Sequence, residues 1–197
     1  MGKSISTPST SIIVTTYNRP DALRLSLESM LRQTVAPDEI IVADDGSTCD
    51  TRAVVEALAG KSGIPVLHVW QEDRGFRLSA IRNKAIARAS GDYILQVDGD
   101  VLLGRHFVSD HLELAERGFF VCGSRVRLSP EVTRRVLSDE HFRPTLFNMP
   151  LSFAANSLRS RLLRHWMATR YGRRIDHLRG CNMAFWRDDL IRVNGFN

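Results

Sequence analysis

The sequence predicts an α/β protein, with a mostly parallel central sheet flanked by helices. Three observations carry that prediction. Short apolar runs rich in β-branched residues recur at Ser11–Thr16, Ile40–Ala43, Ile64–Trp70 and Tyr93–Val97. Between them, apolar residues return at helical spacing. The alternation repeats roughly every 25–30 residues, the rhythm of βαβ units with right-handed crossovers. The 197 residues suffice for one well-packed domain with little room for a second, so 1–197 is expected to be a single domain.

The elements follow in order. Ser11–Thr16 reads as a buried strand, and Tyr17-Asn18-Arg19-Pro20 turns the chain into a helix whose inner face carries Leu23, Leu27, Met30 and Leu31. Ile40–Ala43 is the second strand, ending in Asp44-Asp45-Gly46-Ser47. Asp50 is a candidate cap for the next helix, which points Val54, Val55 and Leu58 inward. Ile64–Trp70 is the third strand and 71–77 a polar loop. Leu78–Ala89 reads as a helix with Ile81, Ala85 and Ile86 inward, stopped by Gly91. Tyr93–Val97 then runs into Asp98-Gly99-Asp100. Beyond it the periodicity loosens: a helix over 106–116, a strand at Phe119–Cys122, and a helical, Arg-rich stretch from about Ser129 to Arg174. Residues 179–186 return to an apolar strand, with Asp188 or Asp189 capping a last short helix.

Composition narrows the function classes. The chain is 43% hydrophobic and 25% charged, as ordinary globular proteins are. A formal charge of +5 suits an anionic ligand or membrane surface and falls short of a nucleic-acid binder, so no nucleic acid is expected as partner. Cys49, Cys122 and Cys181 are widely spaced with no Cys-x-x-Cys pair, which excludes a disulfide framework and structural zinc. Met1–Pro8 has no apolar core of a signal peptide, and its match to the short N-myristoylation pattern at Gly2 and Ser6 carries little weight. With no apolar run of membrane-spanning length, the expected location is cytoplasmic.

Three strand ends carry polar groups that a parallel sheet brings to one edge: Thr15–Arg19, Asp44–Ser47 and Asp98–Asp100. Asp98 and Asp100 flank a glycine at the end of a buried strand, and two hard oxygen donors beside open space suit Mg²⁺ or Mn²⁺ with a diphosphate supplying further oxygens. Each triplet alone is an ordinary turn sequence. Their convergence is what a nucleotide site needs.

Ile13–Arg19, Val42–Ser47 and the segment 87–99 together resemble the family 2 inverting glycosyltransferases of GT-A fold, over about 11–197. Asp73–Leu78 with Arg82-Asn83 is similar to the chondroitin-polymerase-type branch that makes bacterial surface sugars. Arg179–Met183 and Val193–Asn197 are similar to that branch's galactosyltransferase-type C-terminal segment. The resemblance implies a nucleotide-binding half over about 11–104 and an acceptor-side half over about 105–197. It implies a sugar nucleotide, UDP-linked, as donor and a saccharide or lipid-linked saccharide as acceptor. Thr15, Tyr17 and Arg19 would line the nucleotide pocket, Tyr17 packing on the base. Asp45 would accept from the uracil N–H, Arg77 would reach the base or diphosphate, Asp98 the ribose or metal, and Asp100 the metal. Asn182 falls where acceptor-side contacts lie. His106 and His111 flank the metal loop without ligand spacing, and His111 is expected on a helix surface.

The resemblance places the general base, a carboxylate, just beyond Asn197, so the catalytic residue is unassigned and the chain reads as truncated. The alternative is a non-catalytic nucleotide-sugar-binding module of the same fold. A nucleotidyltransferase would want a Gly-rich basic loop where Thr15–Arg19 stands. Arg-rich residues 158–174 offer a peripheral contact with the inner face of the plasma membrane, a hold on an acceptor's phosphate, or an amphipathic helix with a solvated basic face.

Overall fold

The computed structural model describes residues 7–139 and 180–197, together with Phe142, Pro144, Thr145 and Trp166. Its elements are β1 (Thr10–Thr16), α1 (Pro20–Leu31), β2 (Glu39–Asp44), α2 (Cys49–Ala59), β3 (Val66–Trp70), α3 (Leu78–Arg88), β4 (Tyr93–Asp98), α4 (Phe107–Leu112), β5 (Val121–Cys122), α5 (Pro130–Ser138), β6 (Asn182–Trp186) and α6 (Arg187–Arg192). The chain divides into two compact units, 1–121 with 180–197, and 122–179. In the second unit Ser129 caps α5, its hydroxyl accepting from Val132 N at 3.2 Å.

The sheet order is β3-β2-β1-β4-β6-β5. β1 pairs in parallel with β2 and β4, and β2 with β3, while β6 runs antiparallel to β4. The parallel strands are continuous apolar runs because both faces are covered. Alternate side chains feed two cores. Ile12, Val14, Ile40, Val42 and Leu95 pack with Leu23, Leu27 and Met30 of α1 and Val55 of α2. Ile13, Ile41, Ala43 and Ile94 pack with Ile81, Ala85 and Ile86 of α3 and Phe185 of β6. A Leu27→Ala change in the first core is worth about 2–5 kcal/mol.

Where β1, β2 and β4 begin, a buried carboxylate ties the strand starts together. Glu39 Oε1 accepts from Ser11 Oγ at 2.6 Å, Ser90 N at 2.6 Å, Ser90 Oγ at 2.9 Å and Gly91 N at 3.4 Å. Burial alone would raise the Glu39 carboxyl, and these donors outweigh it and hold it below the ordinary range. Gly91 belongs to this joint: a Cβ there would lie 2.5 Å from Ser11 Oγ.

Several expectations are corrected. Gly91 does not stop α3, which ends at Arg88 with an extended Ala89 as its cap. Asp50 does not cap α2; Thr48 holds that position and Asp50 lies in the first turn, where a carboxylate favours the helix dipole. Trp186 likewise precedes α6, with Asp188 and Asp189 inside its first turn. The 106–116 helix contracts to α4, and the strand at 119–122 to its last two residues, with Phe119 and Phe120 exposed. His111 is buried rather than on the surface, its Nδ1 2.9 Å from Phe107 O and its ring 4.3 Å from the Phe107 ring. Arg-rich residues 158–174 lie, but for Trp166, outside the described residues.

Candidate functional site

Parallel pairing brings the three polar strand ends together. Thr16 is in register with Asp44 and Thr15 with Asp98, so the loops after β1, β2 and β4 leave one edge side by side. Between them opens a pocket of about 480 Å³, lined by Thr15, Thr16, Tyr17 and Arg19 from the first loop, Asp45 from the second, and Asp98, Gly99 and Asp100 from the third. Asp73, Gly75, Phe76 and Leu78 complete it from the loop before α3.

Asp44 and Asp45 are adjacent and do different jobs. Asp44 is fully buried, with Oδ2 2.9 Å from His68 Nε2 and Oδ1 accepting from Ser47 N at 2.8 Å. Burial would raise its carboxyl, but the His68 and Ser47 contacts prevail and lower it. It braces the turn from behind. Asp45 reaches the pocket, where Gln71 Nε2 donates to Oδ1 at 2.5 Å and Arg77 N to Oδ2 at 2.9 Å. Each oxygen keeps a second lone pair, so the carboxylate is a fixed acceptor. Gly46 permits the fit: its φ is +103°, and a Cβ there would stand 2.6 Å from Asp73 Cα.

Tyr17 is half exposed on the pocket wall, and its hydroxyl donates to Asp73 Oδ2 at 2.9 Å. That bond to a carboxylate raises the phenol above its ordinary value. Asn18, at φ 48°, is tied into the second loop: its N–H donates to Ser47 Oγ at 2.9 Å and its Oδ1 accepts from Thr48 N at 3.0 Å. Arg77 serves the site through its main chain, while its guanidinium donates to Glu72 O. Phe76 is 88% exposed at the rim.

On the third loop, Asp98 Oδ1 accepts from Thr15 Oγ1 at 3.1 Å and Arg82 Nη2 at 3.3 Å. Gly99 N donates to Thr15 O at 2.7 Å, and a Cβ at Gly99 would stand 2.7 Å from that same oxygen. Among the described residues no donor reaches Asp98 Oδ2 or the exposed Asp100. Thr16 Oγ1, at the pocket's floor, is buried without a partner among them. This donor set fits a small hard cation: carboxylate oxygens are its ligand type, and two of them flank one glycine. Among the described residues no cluster of three or more His, Cys, Asp or Glu forms a closed cage, so further oxygens would come from a ligand. Asn182 opens β6 opposite Val97, one residue from Asp98.

The sequence reading brought together Thr15, Tyr17, Arg19, Asp45, Asp98 and Asp100 at this edge. Thr16 stands there only within Thr15–Arg19, and Asp73, Phe76 and Arg82 only within a family motif, each without a role of its own, while Gln71 carries no reading beyond the polar loop. Asp73-Arg74-Gly75, a turn directly after an apolar strand, was the signal available for the fourth wall.

The family described as Glycosyl transferase family 2 has a sequence model that matches residues 11–188. Validoxylamine A glucosyltransferase of Streptomyces hygroscopicus subsp. limoneus is 36% identical over 113 residues, 56% of this chain and 24% of the relative. Chondroitin synthase of Escherichia coli is 33% identical over 105 residues, 53% of this chain and 15% of the relative. The chain thus matches well under half the length of these curated relatives. A mannosyltransferase from Pyrobaculum calidifontis, solved with GDP-Man and Mn²⁺, superposes with a TM-score of 0.65 at 22% identity, over 98% of this chain and 48% of its own. The fold is GT-A-like.

Proposed function

The chain belongs to glycosyl transferase family 2, and on that footing we propose that its pocket takes a nucleoside-diphosphate sugar, UDP-linked, and passes the sugar to a saccharide hydroxyl with inversion. The observation that carries the reading is the convergence of a fixed acceptor, Asp45, with the carboxylates of Asp98 and Asp100 around one pocket of nucleotide size. Asp45 accepts from an N–H of the base, Tyr17 packs on its ring, and Thr15 and Asp98 meet the ribose. Arg19, with Arg77 when its side chain turns inward, balances phosphate charge. Asp100 and Asp98 would hold Mn²⁺ or Mg²⁺, which when bound stabilises the charge of the departing nucleoside diphosphate. That a solved neighbour carries GDP-Man and Mn²⁺ supports a cation here and makes GDP the first competitor to test.

Asn182, beside Asp98 on the antiparallel strand, marks the acceptor side. An inverting transfer needs a carboxylate to take the acceptor's proton, and none is assigned within 1–197. The similarity to chondroitin synthase supports a role in cell-surface glycan synthesis, with a lipid-linked or free saccharide as acceptor. No helix among the described residues is long and apolar enough to cross a membrane. The proposal places the enzyme in the cytoplasm, at the inner face of the plasma membrane.

The test is calorimetric titration of UDP and of GDP, with Mn²⁺ and with chelator, into wild type and Asp100→Ala. Metal-dependent UDP binding weakened at least about tenfold by Asp100→Ala supports the reading. Absence of binding by either nucleotide, in either condition, overturns it.

A further inference from the structure

Two consecutive residues of α3 reach different parts of the first unit. Arg82 is a long cation with only 11% of its side chain exposed, a placement that needs compensation. Its Nη2 stands 3.3 Å from Asp98 Oδ1 and 3.4 Å from Gly180 O, and its guanidinium lies 5.6 Å from the centre of the Phe196 ring. Gly180 O is fixed independently by Gln96 Nε2 at 2.9 Å.

Asn83 holds the main chain of Phe196 at two points. Its Nδ2 donates to Phe196 O at 2.8 Å, and its Oδ1 accepts from Phe196 N at 2.9 Å. This is the pairing a neighbouring strand would give, supplied by one amide. Four residues earlier, Ser79 Oγ donates to Asn197 O at 2.7 Å, next to Leu78 on the pocket wall. Gly195 has φ +77°, and a Cβ there would collide with Asn83 Oδ1, so backbone and side chain fit each other closely.

We infer that Arg82 and Asn83 are a positioning pair that couples the Asp98 end of the pocket to the Gly195–Asn197 turn, so that filling the pocket tightens that turn. The inference rests on the nucleotide-binding reading of the site. Arg82 is shared: its charge answers Asp98, and its guanidinium lies over the Phe196 ring. With a divalent cation held at Asp98, Arg82 would share its carboxylate partner with a second positive charge, which would weaken that ion pair relative to its contact with the Phe196 ring. Asn83 keeps the turn registered to the same helix while this happens. The pair thereby sets the acceptor-side turn according to whether donor is present.

Amide hydrogen exchange of Phe196 reads the coupling directly, with and without UDP and Mn²⁺. In wild type the ligands are expected to slow exchange about tenfold, an ordinary coupling strength. Arg82→Ala abolishes that slowing. Arg82→Lys guards against misfolding: it keeps the charge, loses the guanidinium that lies over the Phe196 ring, and retains under about threefold slowing. Asn83→Ala exchanges fast in both states and, because the coupling is reciprocal, binds UDP up to about tenfold more weakly than wild type. Wild type that binds UDP without slowing, or an Arg82→Lys protein protected as wild type is, overturns the coupling alone. Wild type that binds no UDP overturns the nucleotide reading and the coupling with it.

Discussion

Gly99→Ala tests the third loop most sharply, because its effect can be worked from the coordinates. Gly99 N already donates to Thr15 O at 2.7 Å, and a new Cβ would lie 2.7 Å from that oxygen and 3.3 Å from Thr16 Cβ. Ordinary contact begins near 3.4 Å, so one strand end must retreat by about 0.7 Å (3.4 against 2.7). Neither β1 nor β4 yields easily, since each is hydrogen-bonded on both sides. The displaced group is therefore the Asp98–Asp100 rim. A misplacement of about 1 Å costs on the order of 10²-fold at a reacting centre, and the nucleotide-binding loss expected here is about tenfold, or ~1.4 kcal/mol. Titration of UDP with Mn²⁺ measures it. Gly104→Ala is the control, because a Cβ there meets nothing within 4 Å and should leave affinity unchanged. UDP affinity within about twofold of wild type for Gly99→Ala would refute the close-approach argument.

Two further outcomes are expected. Gln71→Leu removes the buried amide that donates to Asp45 at 2.5 Å and should cost about 1–3 kcal/mol of stability by thermal melt, together with weaker UDP binding. A variant that melts and binds as wild type does would remove Gln71 from the site. Acid should unfold the protein partly through Glu39 and Asp44. Both are held below their ordinary values, so their stabilisation is full above the unfolded range, about pH 4, and is lost as pH falls through the lower folded values. Tm should therefore fall below about pH 4, and Glu39→Gln should flatten that slope. An equally steep decline in Glu39→Gln would show that the four-donor joint does not contribute.

The strands were legible because burial on both faces of a parallel sheet leaves no polar alternation: Ile12, Ile13 and Val14 are all fully buried, each facing one core or the other. The convergence of Thr15–Arg19, Asp45 and Asp98–Asp100 followed from strand direction alone. What escaped depends on side-chain direction, which spacing does not fix. His111 reads as a surface residue in a long helix, whereas α4 is short and the ring turns onto Phe107. Arg77 reads as a ligand group, yet it is its N–H that meets Asp45. Asp50, Asp188 and Asp189 are good capping residues that fall in the first turn instead, because Thr48 and Trp186 are the extended residues that precede the two helices. Glu39 gave a signal that went unread: an acidic residue directly before an apolar strand has to find donors once buried.

The antiparallel strand β6 has a consequence for how such a chain diversifies. Residues 123–179 depart after β5 and return to β6, and these two strands are neighbours in the sheet. Both ends of the excursion are thus moored to adjacent strands, and β6 enters with Asn182 already opposite Val97. Lengthening a connection between fixed ends is thermodynamically mild, about 0.6 kcal/mol per doubling. The connection between β5 and β6 can therefore change in length and sequence while the two strands keep their neighbouring places in the sheet.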